Sequence, residues 1–250
     1  MYTAIFGDYD ELQELPEKYD GVDFICFTDN KNTVSDHWKI IYLPKHTDPS
    51  GLNRRIKILP HLYVPEYEYS LYVDGHIKIR RNPIGLFLHY QKFCTISVSR
   101  HPERRCLYSE AEECLKHSKG NAEKIRKLVG EYKFQGFPVN FGLYEMGIMF
   151  RKTNDDHVKA LMDSWWEEYS KGAKRDQISF PYVMWKQNFT SLSVLEESPR
   201  YSKKYFSIIF HGNEKKLPLL KKIALQVRLH KHHYPFLRAF INFIEKSVKR

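Results

Sequence analysis

Tyr69-Ser70-Leu71-Tyr72-Val73-Asp74-Gly75-His76 is a short β-prone run that ends on an acid, a glycine and a histidine. In an extended segment residues two apart point to the same side, so Asp74 and His76 would face one point, and Gly75 would let a ligand approach the backbone closely. A carboxylate beside an imidazole suits Mn2+ or a similar ion better than Ca2+. The same tripeptide also has the composition of a plain capped turn, and its surroundings decide between the two.

Just upstream, Leu52, Ile56, Leu59 and Tyr63 fall three or four apart and predict a helix over residues 52–62. Arg54, Lys57 and His61 repeat at the same spacing, which puts them on one face as a cluster for phosphate oxygens or as a solvated helix face. Towards the N-terminus, residues 2–6 read as a strand ending at Gly7-Asp8-Tyr9-Asp10, residues 22–27 as a strand ending at Thr28-Asp29-Asn30, and residues 38–43 as a third. Towards the C-terminus, strands are expected over 93–98 and 144–151, the latter led by Glu145. Helices are expected over 109–117, 122–132 and 155–170, where Val158, Leu161, Met162, Trp165 and Tyr169 make an apolar stripe. Asp176 opens one more helical stretch, where a helix N-cap is an alternative role for it. Strands alternating with helices predict an α/β fold with a mostly parallel central sheet flanked by helices. In such sheets ligands bind beyond the carboxyl ends of the strands. Gly7 to Asp10, Asp29 and Asp74 to His76 therefore mark the expected site.

The 250 residues, 42% of them hydrophobic, suffice for one sizeable globular domain, and disorder as the whole answer is excluded. No apolar run reaches the roughly 18 to 20 residues of a membrane-spanning helix, and no secretory signal pattern opens the chain, so a cytoplasmic protein is expected. Cys26, Cys94, Cys106 and Cys114 contain no C-x-x-C pair and read as reduced thiols. Of 40 basic and 30 acidic residues, ten basic and one acidic, Glu245, lie between Lys215 and Arg250. The body is nearly neutral and a short tail carries the charge, whereas a nucleic-acid-binding domain would spread it over its fold. No nucleic-acid partner is expected.

Seven blocks fall in order along residues 1–190: Tyr2 to Asp10, Phe27-Thr28-Asp29, Arg54 to His61, Tyr72 to Ile77, His101 to Arg105, Asn140 to Glu145, and Arg175 to Ser179. Together they resemble the glycosyltransferase-like family shared by plant Golgi proteins of the mucilage and turgor-regulation type and by bacterial polysaccharide-cluster proteins. The resemblance implies a GT-A-like, Rossmann-related fold, distantly similar to the family 8 galactosyltransferases, over a domain of residues 1–214. It implies transfer of a sugar from a nucleotide-diphosphate-sugar donor, with a UDP-sugar as the expected partner, to a glycan or lipid-linked glycan acceptor of the capsule or lipopolysaccharide type. On it, Thr3, Ala4, Ile5, Gly7 and Tyr9 with Asp29 would hold base and ribose, Arg54 and Lys57 would reach the diphosphate, and Asp74 and Gly75 would begin the metal motif. The usual Asp-x-Asp is here Asp-Gly-His, so His76 would replace the second acid. His211, which ends the apolar run 206–210, would complete a shell of Asp74, His76 and His211 for Mn2+ or Mg2+. Asp176 and Gln177 resemble an Asp-Gln pair that lines the sugar pocket, and Glu145 and Asp176 are the expected groups for acceptor activation.

In residues 215–250 apolar and basic residues alternate, and Pro235 should divide two helices, over 219–233 and 236–249. A basic amphipathic helix is the form of a peripheral anchor on an anionic membrane surface, here the inner face of the cell membrane, or else of a packed helix with exposed lysines. Charge alone allows a different class of function, a non-catalytic basic module that binds nucleic acid or an acidic polymer.

Overall fold

The computed structural model describes residues 1–212 and 214–230. In chain order the elements are β1 (Tyr2–Ile5), β2 (Ile25–Thr28), β3 (Lys39–Tyr42), α1 (Pro49–Ile58), α2 (Pro60–Tyr63), β4 (Tyr69–Val73), β5 (Ile77–Ile79), α3 (Ile84–Tyr90), β6 (Ile96–Arg100), α4 (Leu107–Lys116), α5 (Ala122–Phe134), β7 (Tyr144–Lys152), α6 (Asp156–Ser170), α7 (Asp176–Lys186), β8 (Leu192–Leu195), β9 (Phe206–Ile208), a 3-10 turn (Glu214–Lys216) and α8 (Leu219–His230).

Seven strands form one sheet in the order β3-β2-β1-β4-β7-β6-β8. Only β7 is antiparallel to its neighbours, so the sheet is mostly parallel, as the strand-helix alternation predicts. Each face carries its own apolar layer, and the strands feed them alternately. Tyr72 of β4 and Met149 of β7 join the layer under α1 and α4 to α7, while Leu71, Val73, Ile148 and Phe150 point into the layer that holds Phe87 and Phe206. Trp165 is fully buried in the first layer. All four cysteines are free.

The helix expected over residues 52–62 is two elements. Pro60 has no N–H to donate into the preceding turn, so α1 closes at Leu59, whose N–H reaches Arg55 O, and Pro60 starts the separate turn α2. His61 therefore leaves the face of Arg54 and Lys57 and sits 3.0 Å from Asp163 of α6. The end of α1 is fastened by Arg151 of β7, a fully buried arginine. Its Nη1 donates to Lys57 O at 2.8 Å and its Nη2 to the Tyr2 hydroxyl. A cation at these carbonyls suits the negative end of the helix dipole and fixes the rotation of the helix that carries the basic pair.

The small sheet β5-β9 and helix α3 were not anticipated from sequence. The helix expected from residue 219 is present as α8, and among the described residues no helix is long and apolar enough to cross a membrane. The expected break at Pro235 and second helix over 236–249 lie outside the described residues.

Candidate active site

The turn after β1 is shaped by β2 and α1. Gly7 has φ +66° and Asp8 φ +54°, and the Gly7 N–H donates to both carboxylate oxygens of Asp29, at 3.1 and 3.3 Å. Asp29, buried at the end of β2, thus pins the turn. Gly7 also lies against α1, where a Cβ would come within 3.2 Å of Pro49. Asn53 of α1 ties the same region down by donating to Ala4 O.

Behind this turn lies an ionic cluster drawn from three elements. Lys57, with 1% of its side chain exposed, places Nζ 3.1 Å from Asp176 Oδ2 and 3.4 Å from Asp74 Oδ1, and Arg54 Nε lies 3.4 Å from Asp176 Oδ2. Burial alone would raise both carboxyls, but Lys57 and Arg54 outweigh it and hold Asp74 and Asp176 below the usual range. Asp176 is the first residue of α7, with Arg175 at the cap position; its Oδ2 meets the cluster while its Oδ1 accepts the Gln177 N–H at 3.0 Å, so the carboxylate serves both the cluster and the first turn of the helix.

His76 and His211 are brought together by the β5-β9 pair. Ile77 pairs with Ile208 and the Ile209 N–H donates to His76 O at 2.9 Å, so residues flanking the two strands meet, with ring centroids 4.3 Å apart. Gly212 N then donates to Tyr9 O at 3.1 Å; a Cβ on Gly212 would stand 3.0 Å from that oxygen, a tight contact that favours glycine here. His211 Nδ1 lies 2.8 Å from Asp10 Oδ1. Burial draws His76 down to about 4, while at His211 burial is outweighed by the Asp10 hydrogen bond and charge, which raise it. Ligand atoms of Asp10, His76 and His211 all lie within 4.8 Å of one another. One carboxylate and two imidazoles form a donor set that fits Mn2+ or a similar divalent ion. Asp74, expected to join the two histidines, instead turns its Oδ1 to Lys57.

Two cavities open at this edge of the sheet. The larger, about 540 Å³, is lined by Ala4, Ile5, Gly7, Tyr9 and Gly75, with Asn53 and the Asp10-His76-His211 group at its side. The smaller, about 190 Å³, is lined by Lys57, Glu145, Arg175, Asp176, Gln177 and Arg200. Arg54, Asp74 and His76 line both. Glu145, at the start of the reversed strand β7, accepts from Arg200 Nε at 2.9 Å; burial raises its carboxyl and Arg200 opposes the rise. Thr3 and Asp29 do not line the larger cavity: Thr3 is buried within β1, and Asp29 borders a separate cavity of about 430 Å³ beside β2.

A family model described as the TOD1/MUCI70 glycosyltransferase-like domain matches residues 1–202. The chain belongs to this family. The probable hexosyltransferase MUCI70 of Arabidopsis thaliana is 27% identical over 163 residues, a match covering 58% of this chain and 27% of that protein. The chain thus spans about a quarter of the length of that relative. Among solved structures, mouse xyloside xylosyltransferase 1 in its apo form gives a TM-score of 0.44 at 10% identity, covering 78% of this chain and 83% of that one. The apo WbbM bifunctional glycosyltransferase gives 0.41 at 8% identity, covering 81% and 38%.

Within this TOD1/MUCI70-family domain, the sequence blocks sort into groups that line the cavities and groups that brace them. Arg104 holds the buried Glu110 through Nε at 2.7 Å and Nη2 at 2.6 Å, and Glu110 in turn lies 3.6 Å from Arg175, which leads directly into Asp176. The block around His101 thereby braces one wall of the smaller cavity. Three charged lining residues, Asp10, Arg175 and Arg200, had no assigned role from sequence. Asp10 lies in the turn already marked as a site but is separated from His211 by two hundred residues. Arg175 directly precedes Asp176, and Arg200 comes from an irregular segment before β9 that has no pattern of its own.

Proposed function

We propose that this domain transfers a sugar from a nucleotide-diphosphate-sugar donor, a UDP-sugar in the first instance, to a hydroxyl of a glycan or lipid-linked glycan, with a divalent cation assisting. The observation that carries this reading is the pair of cavities sharing Arg54, Asp74 and His76 at the carboxyl edge of the sheet. A donor has the same two-part form, a nucleoside and a sugar joined through charged phosphates. The larger cavity is of the size typical of small-molecule sites and would take the nucleoside, with Tyr9 beside it. The shared wall would take the diphosphate, and there Arg54 is the basic side chain within reach. Lys57, buried between two carboxylates at the wall of the smaller cavity, keeps them charged and fixed.

The sugar would then lie in the smaller cavity, where Asp176 and Gln177 can bind its hydroxyls. Of the three carboxylates that line it, Asp74 and Asp176 are poor proton acceptors because Lys57 and Arg54 stabilise their charge, whereas the proton affinity of Glu145 is raised. Glu145 is therefore assigned as the group that takes the acceptor hydroxyl's proton, and Asp176 as a group that holds the sugar. Asp10, His76 and His211 would hold the cation, which when bound offsets charge on the departing diphosphate.

A thermal-shift panel of nucleoside diphosphates and nucleotide sugars, with and without Mn2+, tests the reading. A ligand that binds only the folded state raises the melting temperature by mass action. The expected result is one nucleotide family giving the largest shift, larger still with Mn2+. A flat panel would contradict it and leave the non-catalytic basic module as the reading to pursue.

A further inference from the structure

Helix α8 has an unusual surface. Leu219, Leu220 and Ile223 are 73%, 80% and 51% exposed, and helical spacing places them along one side with Val227, which is itself half-buried. Leu225 and Leu229, on the opposite side, are half-buried. The helix thus presents an apolar stripe outward while a second apolar edge turns inward. Lys216, just before the helix, and Lys221, about 100° around it from Leu220, are both exposed, and no acid occurs from Leu217 to His230. Residues 231–250, which follow directly, add five basic residues and one acid.

We infer that the outward face of α8 docks on an anionic lipid surface. A nucleic acid or other soluble polyanion would use the lysines but leave three large aliphatic side chains in water. A zwitterionic bilayer would take the leucines but gain nothing from the cations. An anionic membrane uses both, with the aliphatic side chains at the acyl boundary and the ammonium groups among the headgroups. Lys215 Nζ, immediately before the helix, bonds Glu11 Oε2 at 2.6 Å in the segment after the β1 turn. Docking of α8 would therefore hold the edge of the sheet at which both cavities open near the membrane, where a lipid-linked acceptor would be found. That last step rests on the proposed function; the docking itself does not.

The test is flotation of the full chain with vesicles of phosphatidylcholine alone and of phosphatidylcholine mixed with phosphatidylglycerol. Recovery with the anionic vesicles is expected to exceed that with the neutral ones by at least about tenfold and to fall at high salt. The double variant Leu220→Glu/Ile223→Glu, both sites exposed, is expected to lose the recovery while its melting temperature and its response to nucleotides stay as in the parent. Equal recovery on both vesicles, recovery on neither, or recovery unchanged in the double variant would overturn the inference. So would a concentration-dependent dimer, seen by light scattering, that the double variant abolishes. None of these results bears on nucleotide binding, so failure here leaves the site reading standing.

Discussion

Replacement of Lys57 by methionine is expected to cost about 3–5 kcal/mol of stability at neutral pH, the usual penalty for removing one partner from a buried ion pair. Methionine keeps the length and most of the apolar stem, so the change isolates the charge. It leaves the half-buried Asp74 and the buried Asp176 near each other with Arg54 as the remaining partner of Asp176. The pH dependence gives the effect a signature. In the parent both carboxyls are held below their unfolded value of about 3.9, so their pairing contributes stability above that pH and loses it as pH falls through the lowered folded values. In the variant the folded carboxyls bind protons more readily. The deficit should therefore be largest near pH 7 and shrink as the medium is acidified. Urea denaturation of both proteins at two pH values reads this directly. A loss under about 1 kcal/mol, or one independent of pH, would show that Lys57 does not neutralise the pair.

Glu145→Gln is expected to lower the transfer rate by about 10²- to 10⁴-fold, the range for loss of a positioned general base, while nucleotide binding stays within about twofold. The amide preserves shape and can still meet Arg200, so the fold should be undisturbed. Because burial raises the Glu145 carboxyl, the acid limb of the parent's rate profile should lie above the ordinary glutamate value of about 4.3, and it should disappear in the variant. Asp176→Asn provides the contrast: the assignment of Asp176 to sugar binding predicts a loss that appears mainly in KM. A Glu145→Gln enzyme with full activity, or the reverse pattern in the two variants, would transfer the base role to Asp176.

The local parts of this molecule were readable in the chain because they depend on neighbours in sequence. The run into Asp74 declares a strand and a polar end, the stripe of α6 declares its buried face, and the strand-helix alternation declares a mostly parallel sheet. What could not be read depends on distance. Lys57 looks like a phosphate-binding residue on an exposed helix until α7, 119 residues later, brings Asp176 to it. The expected trio Asp74, His76 and His211 contains two residues that do meet, but their partner in the fold is Asp10, because pairing of β9 with β5 sets His211 over the β1 turn rather than over Asp74. The position of His61 follows from a local signal: Pro60 lacks the N–H that a helix running to residue 62 would need, so α1 ends at Leu59 despite the three-four spacing. Strands β5 and β9 have three residues each, too few for an alternating pattern to stand out, yet they assemble the histidine pair.

If the two cavities are halves of one donor site, Arg54, which lines both, joins them. Calorimetric titration of the nucleotide sugar found in the thermal-shift panel, into the parent and into Arg54→Ala, measures this most directly. The account predicts one site per chain in the parent and an affinity about 10- to 100-fold weaker in the variant, the loss of a charge-assisted contact to phosphate. Unaltered affinity in Arg54→Ala, with the same stoichiometry, would contradict it.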